Sequence, residues 1–160
     1  MRDRFRQFRD ATAEPAEADF ALGDRFLRGQ LVALFRGQHP RDIVHSARTA
    51  QWLLDRGHDD ADLIAAALLH DVGKRHQRRG DRVAWVVAGW LGAGKLLAAD
   101  GSRLEVRRAI ARSAAHAELG ARMMLAAGAS ERAVALTRLH HVPSRGDRML
   151  ALLQEADARN

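Results

Sequence analysis

Apolar positions recur at helical spacing along the chain, and no strand-like alternation competes with them. A first helix is predicted from near Asp19 to about Arg36, where the GQHP segment interrupts the chain. From Asp42 to about Arg56, Ile43, Ala47, Ala50 and Leu54 share one face; RGHDD then ends the helix and offers Asp59 or Asp60 as the next N-cap. The following segment, DADLIAAALLHD from Asp60 to Asp71, is apolar on every side, the pattern of a helix enclosed by others. Further on, Val83 to Ala99 forms an apolar segment, and Ser102 with Glu105 reads as a capping box. A helix from His116 to Ala127 stops at Gly128, Ser130 caps one reaching His141, and VPSRGD leads to a last helix from about Arg148. The pattern predicts an all-α, single-domain helical bundle with short connections, entered through a flexible N-terminal segment over residues 1–17.

Composition narrows the partners. At 160 residues the chain suits one domain with a proper core. Its formal charge of +6 favours an anionic partner. Cysteine is absent, which removes disulfides, thiolate metal sites and a cysteine nucleophile, and fits a cytoplasmic protein. The N-terminus MRDRFRQFRD has charge but no apolar stretch behind it, so no secretory signal is expected. Val83 to Ala99 is interrupted by glycines and Lys95 and is shorter than the roughly 20 residues of a membrane span, so no transmembrane segment is expected.

Several polar residues fall on apolar helix faces. His70 lies on the row of Leu63 and Ala67, and Asp71 on that of Ile64 and Leu68, so both are predicted to point inward. Asp157 shares a face with Leu150 and Leu153, and His140 with Ala133 and Leu136, with His141 beside it; His45 stands one turn before Arg48. A buried carboxylate needs a hydrogen-bonded cation or a metal, and Asp71 at a helix C-terminus opposes the macrodipole. Inward His and Asp residues on separate helices are the material of a metal site in a bundle core. Taken singly, each has a plainer reading: a satisfied core histidine at His45, an arginine partner at Asp157, a helix C-terminus favouring cations at His140 and His141. His39 and His58 sit in turns and are expected to face solvent; His76 lies in the basic loop.

The spacing of His45 in HSARTA, then AAALLHDVGK, then a distal Asp in LLQEAD resembles the HD superfamily of metal-dependent phosphohydrolases over roughly residues 41 to 160. The resemblance implies an HD domain over 18–160, with a metal-binding core at 41–160 and an insertion helix at about 82–99. It implies a ligand set of His45, His70, Asp71 and Asp157. HAELGARMML and LTRLHH resemble members with a second metal position, which implicates His116, His140 and His141 and makes Asp71 the shared, bridging ligand. Lys74 in HDVGK matches the family lysine that reaches substrate phosphate.

The residue types agree with that chemistry. Imidazole and carboxylate ligands suit one or two divalent ions, Fe or Mn first and Mg or Zn as alternatives. An ion of this kind lowers the pKa of its water toward about 7 and supplies hydroxide as nucleophile. Asp71 and Lys74 are then the catalytic candidates. All but two of the 26 basic residues are Arg, which sets Lys74 apart as a compact ammonium. Gly73 is expected to supply the left-handed turn that ends the helix. Arg75 and Arg78, with Arg79 and Arg82, are candidate phosphate contacts at the rim or simply a solvated loop, and Arg48, one turn from His45, is a further candidate for phosphate contact.

The expected activity is hydrolysis of a phosphomonoester or phosphoanhydride of a nucleotide-like substrate. The alternative is a non-catalytic HD module that binds a nucleotide as a regulatory or scaffolding domain. A nucleic-acid binder rests on charge alone, with no reading motif beside it. The absence of Tyr rules out a GYP segment, and no acidic ED follows the HD pair, so the cyclic-dinucleotide and alarmone subgroups match poorly. The helix carrying Trp85 and Trp90 is expected to pack as a lid, against a membrane surface or in a homodimer, packing being favoured because it would otherwise expose a large apolar patch.

Overall fold

The computed structural model describes residues 14–76 and 115–160, and among them every regular element is helical. In chain order these are α1 (Glu17–Phe26), α2 (Gln30–Arg36), α3 (Pro40–Leu54), α4 (Ala61–Leu69), a 3-10 turn (Val72–His76), α5 (115–126), α6 (Glu131–Leu139) and α7 (Arg148–Arg159). The expected all-α bundle is what forms. No helix of the described residues is long and apolar enough to cross a membrane.

The segment apolar on all sides lies at the centre. Every residue from Leu63 to Leu69 of α4 is buried, and α4 packs against α3, α6 and α7. Phe35, Leu53, Leu136 and Leu153 converge on it from α2, α3, α6 and α7. Burying side chains of this size contributes on the order of 1.5–3 kcal/mol each, which is why a nine-residue helix of low polarity holds together here.

The sequence reading needs four changes. The predicted helix from Asp19 to Arg36 is two helices, broken where Gly29 takes φ 55 and ψ −127, a conformation that side-chain-bearing residues rarely adopt. Pro40 begins α3 two residues early, because its fixed φ suits the first helical turn and His39 Nδ1 accepts from Arg41 N. The two helices expected to carry His70–Asp71 and His140–His141 end sooner, with His70 and His140 as C-caps. His58 is half-buried rather than exposed: Gly57, at φ 76, turns the chain so that His58 N donates to Leu53 O at 3.0 Å. His39 is exposed as expected.

The capping predictions fare better. Asp60 accepts from the backbone of Asp62 and Leu63, and Ser130 from Ala133. Asp147 Oδ1 caps α7 through Leu150 N while both its oxygens meet Arg132. Gly128, at φ 85, follows α5. The Val83–Ala99 segment with Trp85 and Trp90, the Ser102–Glu105 capping box, Arg78, Arg79 and Arg82 lie outside the described residues, as do the first 13 residues of the N-terminal segment.

Candidate metal centre

Three helices end at one place. His70 is the C-cap of α4, His140 is the C-cap of α6, and Asp157 stands in the last turn of α7. Helix C-termini carry partial negative charge, so this pole of the bundle attracts cations. His45 from the first half of α3 and His116 from the start of the described part of α5 complete the ring around Asp71.

Two groups of side chains there are able to hold an ion: His45, His70 and Asp157, and His116, His140 and His141. Within each, the ligating atoms lie within 4.8 Å of one another. In the first, His45 Nε2 is 2.9 Å from Asp157 Oδ1, and His70 Nε2 is 3.4 Å from the same oxygen. In the second, His141 Nε2 and His116 Nε2 are 3.0 Å apart. That is close to the roughly 3.3 Å separating two nitrogens bound at about 2.0 Å to a tetrahedral ion.

Asp71 stands between the groups. Its Oδ2 lies 3.5 Å from His70 Nε2 and 3.8 Å from His45 Nε2, while its Oδ1 lies 3.7 Å from His116 Nε2. The carboxylate is 2% exposed, and Lys74 Nζ donates to its Oδ2. This answers why an aspartate tolerates a helix C-terminus: imidazoles and an ammonium surround it.

The buried histidines are aimed by their own helices. His70 Nδ1 donates to Ala67 O at 2.9 Å and His140 Nδ1 to Thr137 O at 2.6 Å, since a carbonyl oxygen only accepts. Each ring therefore turns Nε2 toward the cluster, the arrangement in which metal-ligating histidines are usually held. Both Nε2 atoms are buried with no hydrogen bond among the described residues. The Nε2 of His70 has only the carboxylates of Asp157 and Asp71 near it, at 3.4 and 3.5 Å, and leaving the buried Nε2 of His140 unpaired costs about 1–3 kcal/mol, so the two rings, with centroids 5.2 Å apart, fit a place that takes a ligand. Soft thiolates are absent, and imidazoles with carboxylates fit a divalent first-row ion.

Charge inside the cluster is uneven. Burial opposes the His70 cation, but Asp71 and Asp157 outweigh it and raise its pKa to about 9. Burial acts the other way on Asp71, where His70 and Lys74 prevail and hold it at about 2. Asp157 is also opposed by burial yet held far below the usual carboxylate range by His45 and His70. Burial and the nearby His70 push His140 down to about 3, so it stays neutral. Burial likewise lowers His141.

The seven residues expected as ligands, His45, His70, Asp71, Asp157, His116, His140 and His141, are thus brought together. Among the expected phosphate contacts, Lys74 lies at the edge of the cluster with its side chain 43% exposed, and Arg48 is half-buried on α3 one turn from His45. The backbone of Arg75 and His76 belongs to the 3-10 turn, and Arg78 falls outside the described residues. Gly73 needs correction. Its φ is not positive, and it sits in the 3-10 turn rather than in a left-handed cap. What requires glycine is space, because a Cβ there would lie 2.1 Å from the carbonyl oxygen of His116.

Two supporting residues escaped the sequence reading. Gln154 Nε2 donates to His140 O at 3.0 Å and Val142 O at 2.6 Å, clamping the chain on both sides of His141. Gln38 Nε2 donates to Leu68 O at 2.9 Å, satisfying a carbonyl in the last turn of α4. The position of Gln154, one turn before Asp157 on the same helix, was the available signal. Gln38 offered none, because its partner is a backbone atom 30 residues away. Compared with family models, with curated proteins and with solved structures, the chain matches none of them.

Proposed function

We propose that the protein is a metal-dependent phosphohydrolase of the HD type, cleaving a phosphomonoester or phosphoanhydride of a nucleotide-like substrate. The observation that carries the reading is the convergence of the buried Nε2 atoms of His70 and His140 beside the two-sided carboxylate of Asp71, the first facing only the carboxylates of Asp157 and Asp71 and the second without a hydrogen bond among the described residues. In this reading His45, His70 and Asp157 hold one divalent ion, His116, His140 and His141 hold a second, and Asp71 serves both. Such ions, Fe or Mn first, supply Lewis acidity and a water acidic enough to ionise near neutral pH.

The chain's own residues then have separate tasks. Three helix C-termini and two carboxylates would repel a phosphate, so cationic groups must counter them. Lys74, beside Asp71 and partly open to solvent, is assigned to phosphate, and Arg48, one turn from His45 on α3, to a second contact. His70 and His140 stay aimed through their Nδ1 bonds, which removes the cost of orienting ligands at each turnover. The net charge of +6 draws anionic substrates toward the molecule.

The test is metal analysis of the purified chain, followed by phosphate release from a nucleotide panel with Mn, Fe(II), Mg or Zn restored in turn. Metal-dependent release that disappears in Lys74→Met, with bound metal retained, supports the reading. Bound metal with no release from any substrate would replace the enzyme by a nucleotide-binding module.

A further inference from the structure

The two groups are built from different elements, and one backbone contact joins the turn that follows Asp71 to the helix that carries His116. Gly73 follows the His70–Asp71 pair by two residues. A Cβ built on it would lie 2.1 Å from His116 O, 3.0 Å from His116 C and 2.8 Å from Gly120 N. The contact is mutual, because a Cβ on Gly120 would lie 3.3 Å from Gly73 N and 3.3 Å from Val72 Cγ1. The turn after α4 and the helix α5 therefore touch main chain to main chain. Ordinary contact begins at 3.4 Å, so one methyl group at Gly73 requires a separation of about 1.3 Å.

The residue met by that methyl is the one that matters. His116 supplies Nε2 at 3.7 Å from Asp71 Oδ1 and at 3.0 Å from His141 Nε2. Elsewhere α5 rests on Ala117, Ala121 and Met124, all essentially buried, so it has little room to tilt back and restore the position. Metal–ligand distances in a well-formed site lie within about 0.2 Å of their standard values. A displacement several times larger shifts His116 relative to Asp71, whereas His45 and Asp157, on α3 and α7, take no part in this contact.

We infer that Gly73, packed on Gly120, is a positioning residue that sets the spacing of a two-ion centre: it admits the second ion and has no part in holding the first. The inference rests on the metal-centre reading above. It also separates this glycine from the usual role of a helix-ending one, since its φ demands nothing special.

The experiment compares the full-length native chain with Gly73→Ala, Gly120→Ala and Leu53→Ala, each loaded with Mn(II). Calorimetric titration counts the ions, and electron paramagnetic resonance distinguishes a coupled pair from an isolated ion. Leu53 is fully buried near the far end of α3 and serves as a destabilised control. The native chain and Leu53→Ala should bind two coupled ions. Gly73→Ala should bind the first with unchanged affinity and the second at least about 10-fold more weakly, with loss of the coupled signal. If Gly73→Ala does not fold, Gly120→Ala decides through the same readouts, with a smaller loss confined to the second ion. Two coupled ions of native affinity in the glycine variants, or equal loss of the second ion in Leu53→Ala, would overturn the spacing role. Fewer than two ions in the native chain would instead overturn the two-ion reading beneath it.

Discussion

Asp71 Oδ1 faces His116 Nε2 across 3.7 Å although 45 residues separate them, and the other oxygen of the same carboxylate faces His70 and His45. One side chain thereby faces both groups. Asp157 makes its ion pairs with the first group, through His45 and His70. Asp71→Asn is therefore expected to abolish binding of both ions, and Asp157→Asn to weaken one of two. Elemental analysis after gel filtration reads this directly; equal losses in the two variants would contradict the bridging position.

How much of this could be read in advance follows from local arithmetic. The inward aim of His70, Asp71 and His140 follows from helix periodicity, and the caps Asp60 and Ser130 from residue type, because each depends on neighbours within two helical turns. The break at Gly29 and the end of α4 before His70 depend on how the chain turns to pack, which periodicity does not encode. Gly73 shows the limit most clearly: a glycine after a helix suggests a left-handed cap, whereas here the constraint comes from α5, more than 40 residues away in the chain. Lys74 was marked by being one of two lysines, but its attachment to Asp71 needed coordinates.

Gln154 holds the second group from outside it. Its single amide nitrogen serves His140 O and Val142 O, both in the turn that follows α6. Gln154→Leu preserves bulk and removes the donor, leaving two carbonyls to half-exposed surroundings. Stability should fall by about 1 kcal/mol in denaturant titration, and the ion held by His116, His140 and His141 should be bound more weakly than that held by Asp157. Gln154→Glu should do no better, since a carboxylate cannot donate.

The cluster makes the chelated protein sensitive to pH at both ends. His70 is opposed by burial but raised by Asp71 and Asp157 from 6.5 to about 9, so its contribution is fully present below 6.5 and is lost as pH rises through about 9. Asp71, lowered from 3.8 to about 2, contributes above 3.8 and loses that contribution as pH falls through about 2. His140, lowered from 6.5 to about 3, acts against acid stability, because the unfolded chain takes up its proton first. Urea melts in EDTA should thus show stability falling between pH 6.5 and 9. Replacing His70 with Gln should flatten that limb; an unchanged slope would remove His70 as its cause.

Asp147 tests whether α7 can be weakened without touching the centre. Its Oδ1 accepts from Leu150 N at 3.1 Å, and its two oxygens take Arg132 at 2.6 and 2.8 Å, joining the starts of α6 and α7. The hydrogen bond to Arg132 comes first among the causes that hold its carboxyl at about 2. Asp157 lies ten residues further along the same helix, held by His45 and packed beside Leu153 and Ala156. Asp147→Ala should therefore cost about 1 kcal/mol through the lost cap, or roughly 2–4 °C in melting temperature for a chain of this size. Metal stoichiometry should be unchanged, because the last turn is fastened at its own end. Adding metal should restore part of the lost melting temperature, since an ion bound through Asp157 stabilises only the folded chain. A variant that lost metal in step with its cap would show that α7 reaches the centre only as a rigid whole.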